Sequence, residues 1–337
     1  MLLIRILLEN ENKGGDKLST LLKVRNLSVE TLSKSPNTIL DNVHFHVRTG
    51  ETLAIVGESG SGKSMTALSI LGLLPESSLK ISSGEIFLEN TNLTNLSERK
   101  LNEIRGKEIA MIFQEPMTSL NPSFTIGNQL AEVFKYHTNY TKKEIKEHSI
   151  ELLRKVKIPD PKDKLKVYPH ELSGGMRQRI MIAMALACNP KVLIADEPTT
   201  ALDVTIQAQI LEILSNLQNE FGMTVIMITH DLGVVAETCS RVIVMYAGQI
   251  VEEGTVEEIF DSPMHPYTKA LLQSMPKLGS PKKRLHMIKG TVPDISNMPV
   301  GCRFNPRCEV ATEYCQQHEP VLEELKDGRK VRCWHRV

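Results

Sequence analysis

The sequence predicts an α/β fold with a parallel sheet at its core, a second β-rich layer, an inserted helical segment and a small cysteine-containing C-terminal extension. Short apolar runs typical of buried strands recur along the chain, and several lead into helical patterns. A largely helical pattern, with a charged amphipathic helix within it, interrupts these runs at about residues 115–188. Beyond about residue 261 the chain becomes rich in Pro, Lys and Cys, which predicts a separate tail region.

Composition narrows the classes of function. The 337 residues suit roughly two domains, and 41% hydrophobic residues can bury a sizeable core. Lys plus Arg equal Asp plus Glu at 40 each, and aromatic residues are only 4%, so the chain lacks the charge footprint and stacking platforms of nucleic-acid binders. No apolar run approaches the ~18 residues of a membrane span, and the first apolar patch is too short for a cleavable signal peptide. We therefore expect a cytoplasmic chain.

The elements are predicted in chain order. Residues 1–20 combine a short apolar patch with a polar, glycine-containing stretch, which predicts a disordered lead-in. Residues 21–30 alternate in the manner of an edge strand, and Ala247-Gly248 between two apolar runs predicts a hairpin. The remaining predicted strands are residues 42–48, 52–56, 82–89, 109–113, 191–198 and 223–229, with the hairpin strands at 241–245 and 249–253. A helix is predicted at residues 65–74, and the pattern is helical from about residue 128 to 157, where Thr141 opens a charged amphipathic helix. Further helices are predicted to end at Cys188 and near Gln218.

Residues 57–64, Gly-Glu-Ser-Gly-Ser-Gly-Lys-Ser, fit the phosphate-loop pattern G-x-x-x-x-G-K-[ST]. Glycines let consecutive backbone N–H groups point at phosphate oxygens, and the following helix adds the positive end of its dipole. Lys63 can reach the β- and γ-phosphates, and the Ser64 hydroxyl can ligate Mg²⁺. The alternative is a glycine-rich turn before an ordinary helix. The apolar strand before the loop and the helix after it favour nucleotide binding.

Several later polar residues are ambiguous when each is taken alone. Asp196 follows an apolar strand and could hold Mg²⁺, and Glu197 could polarise an attacking water, but solvated acids at a strand end are common. His230 could be a hydrogen-bonded loop histidine, and Gln114 could be an exposed glutamine. Ser173, before two glycines, could simply cap a helix. Their joint order along the chain is the informative feature.

That order resembles the ATP-binding-cassette (ABC) ATPases throughout residues 21–255. The resemblance implies a P-loop NTPase core with an antiparallel β subdomain and the inserted helical subdomain at about 115–188. It implies that Gln114 senses Mg²⁺ and a membrane subunit, that Glu197 is the general base, and that His230 contacts the γ-phosphate. It implies ATP bound by Gly57, Glu58, Ser59, Gly60, Ser61, Gly62, Lys63, Ser64 and Met65. Mg²⁺ would be held by Ser64, Gln114 and Asp196.

ABC ATPases act as head-to-tail dimers, which the resemblance implies for this chain. The signature residues Ser173, Gly174, Gly175 and Met176 would contact the ATP of the partner chain, and Asp203 would be the D-loop aspartate. Met176 stands where many members have Gln, which is tolerable because Ser and glycine N–H groups carry the phosphate contact. The family usually stacks an aromatic on adenine about 25 residues before the phosphate loop. That place falls on Thr31 or Leu32, and no aromatic residue occurs before Phe45, so the residue that contacts adenine is left open by the sequence.

Further segments resemble the oligopeptide/dipeptide/nickel importer branch. They are Gln-Glu-Pro-Met-Thr-Ser-Leu-Asn-Pro at 114–122, His-Pro-Tyr-Thr-Lys-Ala-Leu-Leu at 265–272 and Gly-Cys-Arg-Phe-Asn-Pro-Arg-Cys at 301–308. This likeness implies a peripheral subunit at the cytoplasmic face of the cell membrane. It would pair with a second related ATPase under two membrane permease subunits, fed by an external binding protein. We expect Tyr267 and the leucines after it to dock the tail on the ATPase core.

The chain has six cysteines, four of them in the tail: Cys302, Cys308, Cys315 and Cys333. Their spacing lacks the C-x₂-C pairs of zinc ribbons, yet four cytosolic cysteines in a loop-rich tail suggest a metal. Members of the importer branch can carry a [4Fe–4S] cluster here, so the resemblance favours an iron–sulfur cluster; Zn²⁺ or plain thiols are the alternatives. Cys188 and Cys239 are predicted to be buried thiols.

These observations predict an ATPase that powers peptide import, with residues 21–260 as the ABC ATPase domain and 261–337 as the C-terminal extension. The same role in a nickel or metal-chelate importer is the first alternative. A soluble ABC protein of translation or DNA repair is less favoured, since neither a second cassette nor a long coiled-coil insertion is present. A regulatory module without turnover is disfavoured by the intact Glu197 and His230.

Overall fold

The computed structural model describes residues 19–114, 119–200, 202–275 and 287–336. Most of the predicted disordered lead-in, residues 1–18, lies outside the described residues. The strands are β1 Thr20–Thr31, β2 Thr38–Arg48, β3 Thr52–Val56, β4 Leu79–Leu88, β5 Thr91–Asn92, β6 Ile109–Ile112, β7 Val192–Asp196, β8 Thr224–Ile228, β9 Arg241–Tyr246, β10 Gln249–Thr255, β11 Glu323–Glu324 and β12 Lys330–Val331.

The α-helices are α1 Lys63–Leu71, α2 Glu98–Ile104, α3 Ile126–His137, α4 Lys142–Lys155, α5 Pro161–Lys164, α6 Gly174–Leu186, α7 Val204–Phe221, α8 Leu232–Thr238, α9 Val256–Asp261, α10 Pro266–Gln273 and α11 Glu313–Gln317. Short 3₁₀ turns cover Leu93–Asn95, Pro169–Glu171 and Asn305–Arg307. The hairpin predicted around Ala247-Gly248 is confirmed by the antiparallel pairing of β9 with β10.

Within the described residues the strands form two sheets. The larger has the order β11-β12-β10-β9-β3-β8-β7-β6. The five strands from β9 to β6 run parallel to one another. β3, β7 and β8 are buried along their whole length, as expected of parallel strands covered on both faces. The smaller sheet is antiparallel, with the order β2-β1-β4-β5. The α/β class and the separate antiparallel layer are therefore as predicted.

The prediction of an edge strand at residues 21–30 was wrong. β1 lies inside the smaller sheet, because it pairs with β2 on one side and β4 on the other. The alternation of buried and exposed residues along β1 shows that one face packs on the core. A period of two reports which face is buried and carries no information on whether both edges are paired.

The helical pattern predicted at about 128–157 forms two helices, α3 and α4, and the charged helix predicted to open at Thr141 is confirmed as α4. Between them Thr141 closes a capping box with Glu144: the Thr141 hydroxyl accepts from the Glu144 amide, and the Glu144 carboxylate accepts from the Thr141 amide. This reciprocal pair satisfies backbone donors at the start of α4 and fixes where it begins. These helices and α6 pack around an apolar cluster that also includes Leu193 and Ala195 of β7. The helical subdomain is thus anchored on one face of the larger sheet.

The described part of the C-terminal extension packs on the α/β core. Tyr267 of α10 and Phe304 are buried in one cluster with Val56 and Tyr246. The rings of Tyr246 and Phe304 meet edge to face with centroids 5.2 Å apart. β12 pairs with β10 and so extends the larger sheet. The predicted docking by Tyr267 is therefore confirmed.

Among the helices of the described residues, none has the length and apolar composition of a membrane span.

Candidate active site

The phosphate loop connects β3 to α1, and its backbone demands glycine at two positions. Gly57 has φ +151° and Gly62 has φ +104°, both in the region that L side chains avoid. A Cβ at Gly57 would lie 2.3 Å from the Met245 carbonyl oxygen, and one at Gly62 would lie 2.7 Å from Leu40 Cδ2. Gly57, Gly60 and Gly62 let the chain wrap tightly over the end of β3. The N-terminus of α1 therefore opens into the cleft at the carboxyl ends of the parallel strands.

Lys63 is the first residue of α1, and its ammonium group is held within the loop. Nζ donates to the carbonyl oxygens of Gly57 at 2.8 Å and Glu58 at 3.0 Å. Burial lowers the pKa of Lys63, and the nearby carboxylates of Glu197 and Asp196 oppose that change. The loop thus presents one buried cation beside two acids.

Several of the predicted polar residues line one cleft of about 410 Å³. Its lining includes Gln114, Glu197 and His230, which follow β6, β7 and β8 respectively. The phosphate-loop residues that line it are Ser59, Gly60, Ser61, Gly62, Lys63, Ser64 and Met65. Because these strands are parallel, their carboxyl ends lie at one edge of the sheet, where ligands bind in open α/β folds.

Glu197 occupies the centre of this polar network. Its Oε2 accepts from Gln114 Nε2 and from the Thr200 hydroxyl, each at 2.8 Å, and its Oε1 lies 3.1 Å from His230 Nδ1. Burial alone would raise the pKa of Glu197, but the bonds from Thr200 and His230 outweigh it and lower the pKa. The carboxylate is therefore ionised and held in place. Its backbone φ is +47°, a sparsely populated conformation for a non-glycine residue and one that collects at functional sites.

Asp196 is the last residue of β7 and is buried. The side chain of Ser64 hydrogen-bonds its carboxyl group, while Oδ1 is buried without a hydrogen-bond partner. Burial raises the pKa of Asp196, against the lowering effect of Ser64. A buried carboxylate oxygen beside a hydroxyl is the donor set that hard divalent cations such as Mg²⁺ prefer. The residues present therefore fit Mg²⁺.

The signature residues are well placed on a helix N-terminus but do not line this cleft. Ser173 caps α6, its hydroxyl accepting from the Met176 amide at 3.3 Å. A Cβ at Gly174 would meet nothing within 4 Å, so that face of the helix end is open. A Cβ at Gly175 would come 2.9 Å from Ile206 Cγ2, so Gly175 is required for close packing against α7.

Asp203 also lies at a helix start outside the cleft lining. Its carboxylate accepts from the Ile206 amide at 2.9 Å and caps α7. The next residue, Val204, is 82% exposed, which is unusual for a large apolar side chain. Gln207 of the same helix donates to the Asp231 carboxylate at 3.1 Å, one residue after His230. α7 therefore connects the predicted D-loop with the histidine of the cleft.

Two apolar residues line the cleft that the sequence did not single out. They are Ile39 of β2 and Ile295, which belongs to the C-terminal extension. Thr31 and Leu32, the positions matched to the family aromatic, are absent from the lining, and Leu32 is half exposed. Thr200 was also missed, although a hydroxyl three residues after the paired acids could have been noticed. Nothing in the sequence marks Ile295 as a neighbour of the phosphate loop.

The four tail cysteines converge without forming disulfides. All four line one small cavity of about 10 Å³. Burial raises the pKa of the Cys302 and Cys308 thiols, and raises that of Cys333 to about 11. The part of the chain that the structure describes has no group of three or more His, Cys, Asp or Glu residues placed to hold a metal ion. The metal centre therefore stays a prediction. Cys188 and Cys239, predicted as buried, are partly exposed.

Comparison with known proteins agrees with this geometry. Residues 40–200 match the family model described as ABC transporter, and residues 251–315 match the one described as oligopeptide/dipeptide transporter, C-terminal region. The chain is 54% identical over 318 residues to the oligopeptide transport ATP-binding protein AppD of Bacillus subtilis, covering 94% of this chain and 97% of that protein. It is 54% identical to the dipeptide transport ATP-binding protein DppD of Haemophilus influenzae, covering 93% and 94%.

A solved structure of the ATP-binding cassette MJ0796, a dimer in a post-hydrolysis state bound to ADP and Pi, superposes with a TM-score of 0.62. It is 31% identical and covers 70% of this chain and 98% of that one. The chain therefore belongs to the ATP-binding proteins of ABC transporters: it binds ATP and hydrolyses it as a transporter subunit. Within that family its place is among the oligopeptide/dipeptide transport ATP-binding proteins, which it matches almost from end to end.

Proposed function

We propose that this chain powers the import of peptides across the cytoplasmic membrane, as a peripheral subunit on its cytoplasmic face. The observation that carries the proposal is the near-full-length likeness to proteins named for oligopeptide and dipeptide transport, extension included. Residues 21–260 would form the ATPase domain, and residues 261–337 the extension that identifies the branch. Nickel or a metal chelate is the alternative cargo. Uptake of labelled peptide and of labelled nickel by the same cells distinguishes the two.

We propose a separate role for each polar residue of the cleft. The loop from Gly57 to Met65 would bind the ATP phosphates, with Lys63 neutralising their charge. Ser64, Asp196 and Gln114 would hold Mg²⁺, which when bound neutralises charge on the β- and γ-phosphates. Glu197 is ionised and fixed by three neighbours, which suits a general base that accepts a proton from the attacking water. His230, two-thirds exposed, can turn towards the γ-phosphate.

The signature residues would act on the ATP of a partner subunit. The N-terminus of α6 is an anion site with an open face at Gly174, yet it does not line this chain's own cleft. Exposed Val204 beside Asp203 supplies apolar surface near the same face. A head-to-tail pair with a second, related ATPase would bring the signature of each chain to the phosphate loop of the other. The dimeric state of MJ0796 supports this arrangement.

The base of ATP would be covered by aliphatic side chains instead of an aromatic ring. Ile39 and Ile295 are the large apolar residues of the cleft lining apart from Met65. Ile295 is 40% exposed and so retains surface for a ligand to bury. Aliphatic contact lacks the quadrupole contribution of ring stacking, so adenine would be bound less tightly than in a cassette with the aromatic.

The helical subdomain offers a surface for the two permease subunits. A groove of about 610 Å³ is lined by Phe124, Asn128, Glu132, Lys135 and Tyr136 on and before α3. Phe124 is 50% and Tyr136 is 64% exposed, and exposed aromatics of this kind are typical of interface anchors. The groove belongs to the segment that follows Gln114 along the chain, and Gln114 is the residue that the family resemblance assigns to sensing a membrane subunit. An external binding protein would deliver the cargo to the permeases.

Co-purification from detergent-solubilised membranes tests this assembly. The tagged chain should retain two permease subunits and a second ATPase. Replacing both Phe124 and Tyr136 by Asp should release the permeases while ATP binding stays intact. Leu73→Asp, at another exposed apolar position, is the matched control and should retain them. Recovery of the wild-type chain without any permease would contradict the proposal.

We further propose that Cys302, Cys308, Cys315 and Cys333 hold one metal centre, a [4Fe–4S] cluster in preference to Zn²⁺. Support comes from their shared cavity and from the backbone bond between the Cys302 amide and the Cys315 carbonyl, 2.8 Å long, which ties two of them together. Thiolates suit either centre. Anaerobic purification with iron, sulfide and zinc analysis decides: about four iron and four sulfide per chain are expected. Stoichiometric zinc would overturn the cluster, and four freely alkylated thiols with neither metal would overturn the centre.

A further inference from the structure

Glu58, the second residue of the phosphate loop, is held on three sides. Its amide donates to the Tyr267 hydroxyl at 2.9 Å, and its carbonyl accepts from Lys63 Nζ at 3.0 Å. Its carboxylate accepts two hydrogen bonds from Arg307, from Nη1 at 2.6 Å and from Nη2 at 3.0 Å. Tyr267 and Arg307 both lie beyond residue 260. The C-terminal extension therefore grips the phosphate loop directly.

Arg307 is built into its position. Its side chain is only 5% exposed, and its Nε donates to the Lys289 carbonyl at 2.9 Å. The guanidinium also bonds the Tyr246 hydroxyl and the Gly290 carbonyl, each at 3.3 Å. Its planar fork matches a carboxylate in two parallel bonds, a geometry that the Lys ammonium cannot reproduce. The Arg307 guanidinium is therefore fixed in the orientation in which it bonds the Glu58 carboxylate.

The phosphate loop can bind only when its amides already point at the phosphates. Any fraction of time that the loop spends in other conformations reduces the apparent affinity in proportion. Gly57 and Gly60, which lie on either side of Glu58, allow this part of the loop more backbone conformations than other residues would. The contacts of Glu58 restrict that conformational freedom. Arg307 and Tyr267 supply that restriction from outside the ATPase core.

We propose that Arg307 is a positioning residue for ATP: it pre-orders the phosphate loop through Glu58, so that the C-terminal extension sets nucleotide affinity. The inference rests on the proposed binding of the ATP phosphates by this loop. It adds that the extension, which marks the peptide-transport branch, is a working part of the ATP site. The loss of Arg307 acts on ATP affinity, measured as Kd or KM, and leaves the chemical step at saturating ATP unchanged.

The test is nucleotide titration and ATP hydrolysis with variants of the full chain in its transporter complex. Arg307→Ala should raise the Kd for ATP about tenfold, and Arg307→Lys should give an intermediate rise, with kcat at saturating ATP within about twofold. Lys330→Ala is the matched control. It removes one positive charge and an ion pair from the extension to Glu253 of the core, 3.0 Å long, without touching the loop. Its Kd should match the wild type.

A charge swap separates positioning from general loosening. Glu58→Arg and Arg307→Glu should each weaken ATP binding, and the double variant should recover part of the loss. The double variant keeps one positive and one negative charge at these positions, so it tests the proposal even if Arg307→Ala does not fold. Wild-type affinity in Arg307→Ala, or an equal loss in Lys330→Ala, would overturn the proposal. Lys63→Ala tests separately whether the phosphate loop binds ATP. If this variant binds ATP as tightly as the wild type, the phosphate-loop assignment fails, and the result does not bear on Arg307.

Discussion

Replacing Glu197 by Gln separates ATP binding from hydrolysis. The Gln carbonyl can take the place of Oε2, which accepts from Gln114 and Thr200 at 2.8 Å, and its amide can face His230 Nδ1. The side chain keeps its shape and loses its basicity. General-base catalysis contributes ~10²–10⁴-fold, so turnover should fall at least about a hundredfold. ATP affinity should change little, because the network around the side chain survives.

Phosphate release and nucleotide titration measure the two quantities on the purified transporter. A second ATPase subunit would contribute its own turnover, so every sample should carry the corresponding Glu→Gln change in that subunit. Lys63→Ala is the contrasting variant. It removes a cation buried in the loop, and hydrogen bonds to charged groups contribute about 1.5–3 kcal/mol, so ATP affinity should fall roughly ten- to a hundredfold. Turnover by Glu197→Gln at the wild-type rate would refute the assignment of the base.

Two further predictions concern adenine and pH. Leu32→Tyr should tighten ATP binding by up to roughly tenfold, because ring stacking adds about 0.5–1.5 kcal/mol. Ile295→Ala should weaken ATP binding about fivefold. Nucleotide titrations that show neither change would place the adenine base elsewhere. Burial, with help from positive Arg241 and Lys330, lowers the pKa of His46 to about 4, below its usual 6.5. Between pH 6.5 and about 4 the unfolded chain binds a proton that the folded chain excludes, so stability falls as pH falls, by less than ~1.4 kcal/mol per unit for a partly exposed group. His46→Asn should flatten the dependence of urea unfolding on pH in this window; an unchanged slope would show that other groups cause it.

The residues of the candidate cleft were predictable because the chemistry proposed for it restricts residue type at fixed spacing. Gly57 and Gly62 are required by backbone conformation. In the proposed mechanism Lys63 neutralises phosphate charge, Asp196 holds the metal and Glu197 activates the water. Parallel strands bring their carboxyl ends to one edge, so residues that follow different strands were expected to meet. The start of α4 at Thr141 was also predicted, and Thr141 and Glu144 have the spacing of a capping box.

The contacts between extension and core were not predictable, because they join distant residues without a local pattern. Arg307 and Glu58 are 249 positions apart, and nothing near either residue specifies the other. β12 has two residues, too few for a periodic pattern, yet its pairing with β10 enlarges the sheet. The left-handed backbone of Glu197 depends on its surroundings as well. Sequence patterns thus predicted the residues of the candidate cleft, while the contacts that hold the cleft in place became visible only in the fold.

Uptake of a labelled peptide tests the central claim most directly, namely that ATP hydrolysis in this cleft drives peptide import. Cells that depend on this chain should be compared with cells that carry Glu197→Gln, with both chains present in the membrane in equal amounts. Uptake should fall at least tenfold in the variant, and labelled nickel uptake should be the same in both strains. Peptide uptake that is unchanged by Glu197→Gln, or a loss confined to nickel, would contradict the account.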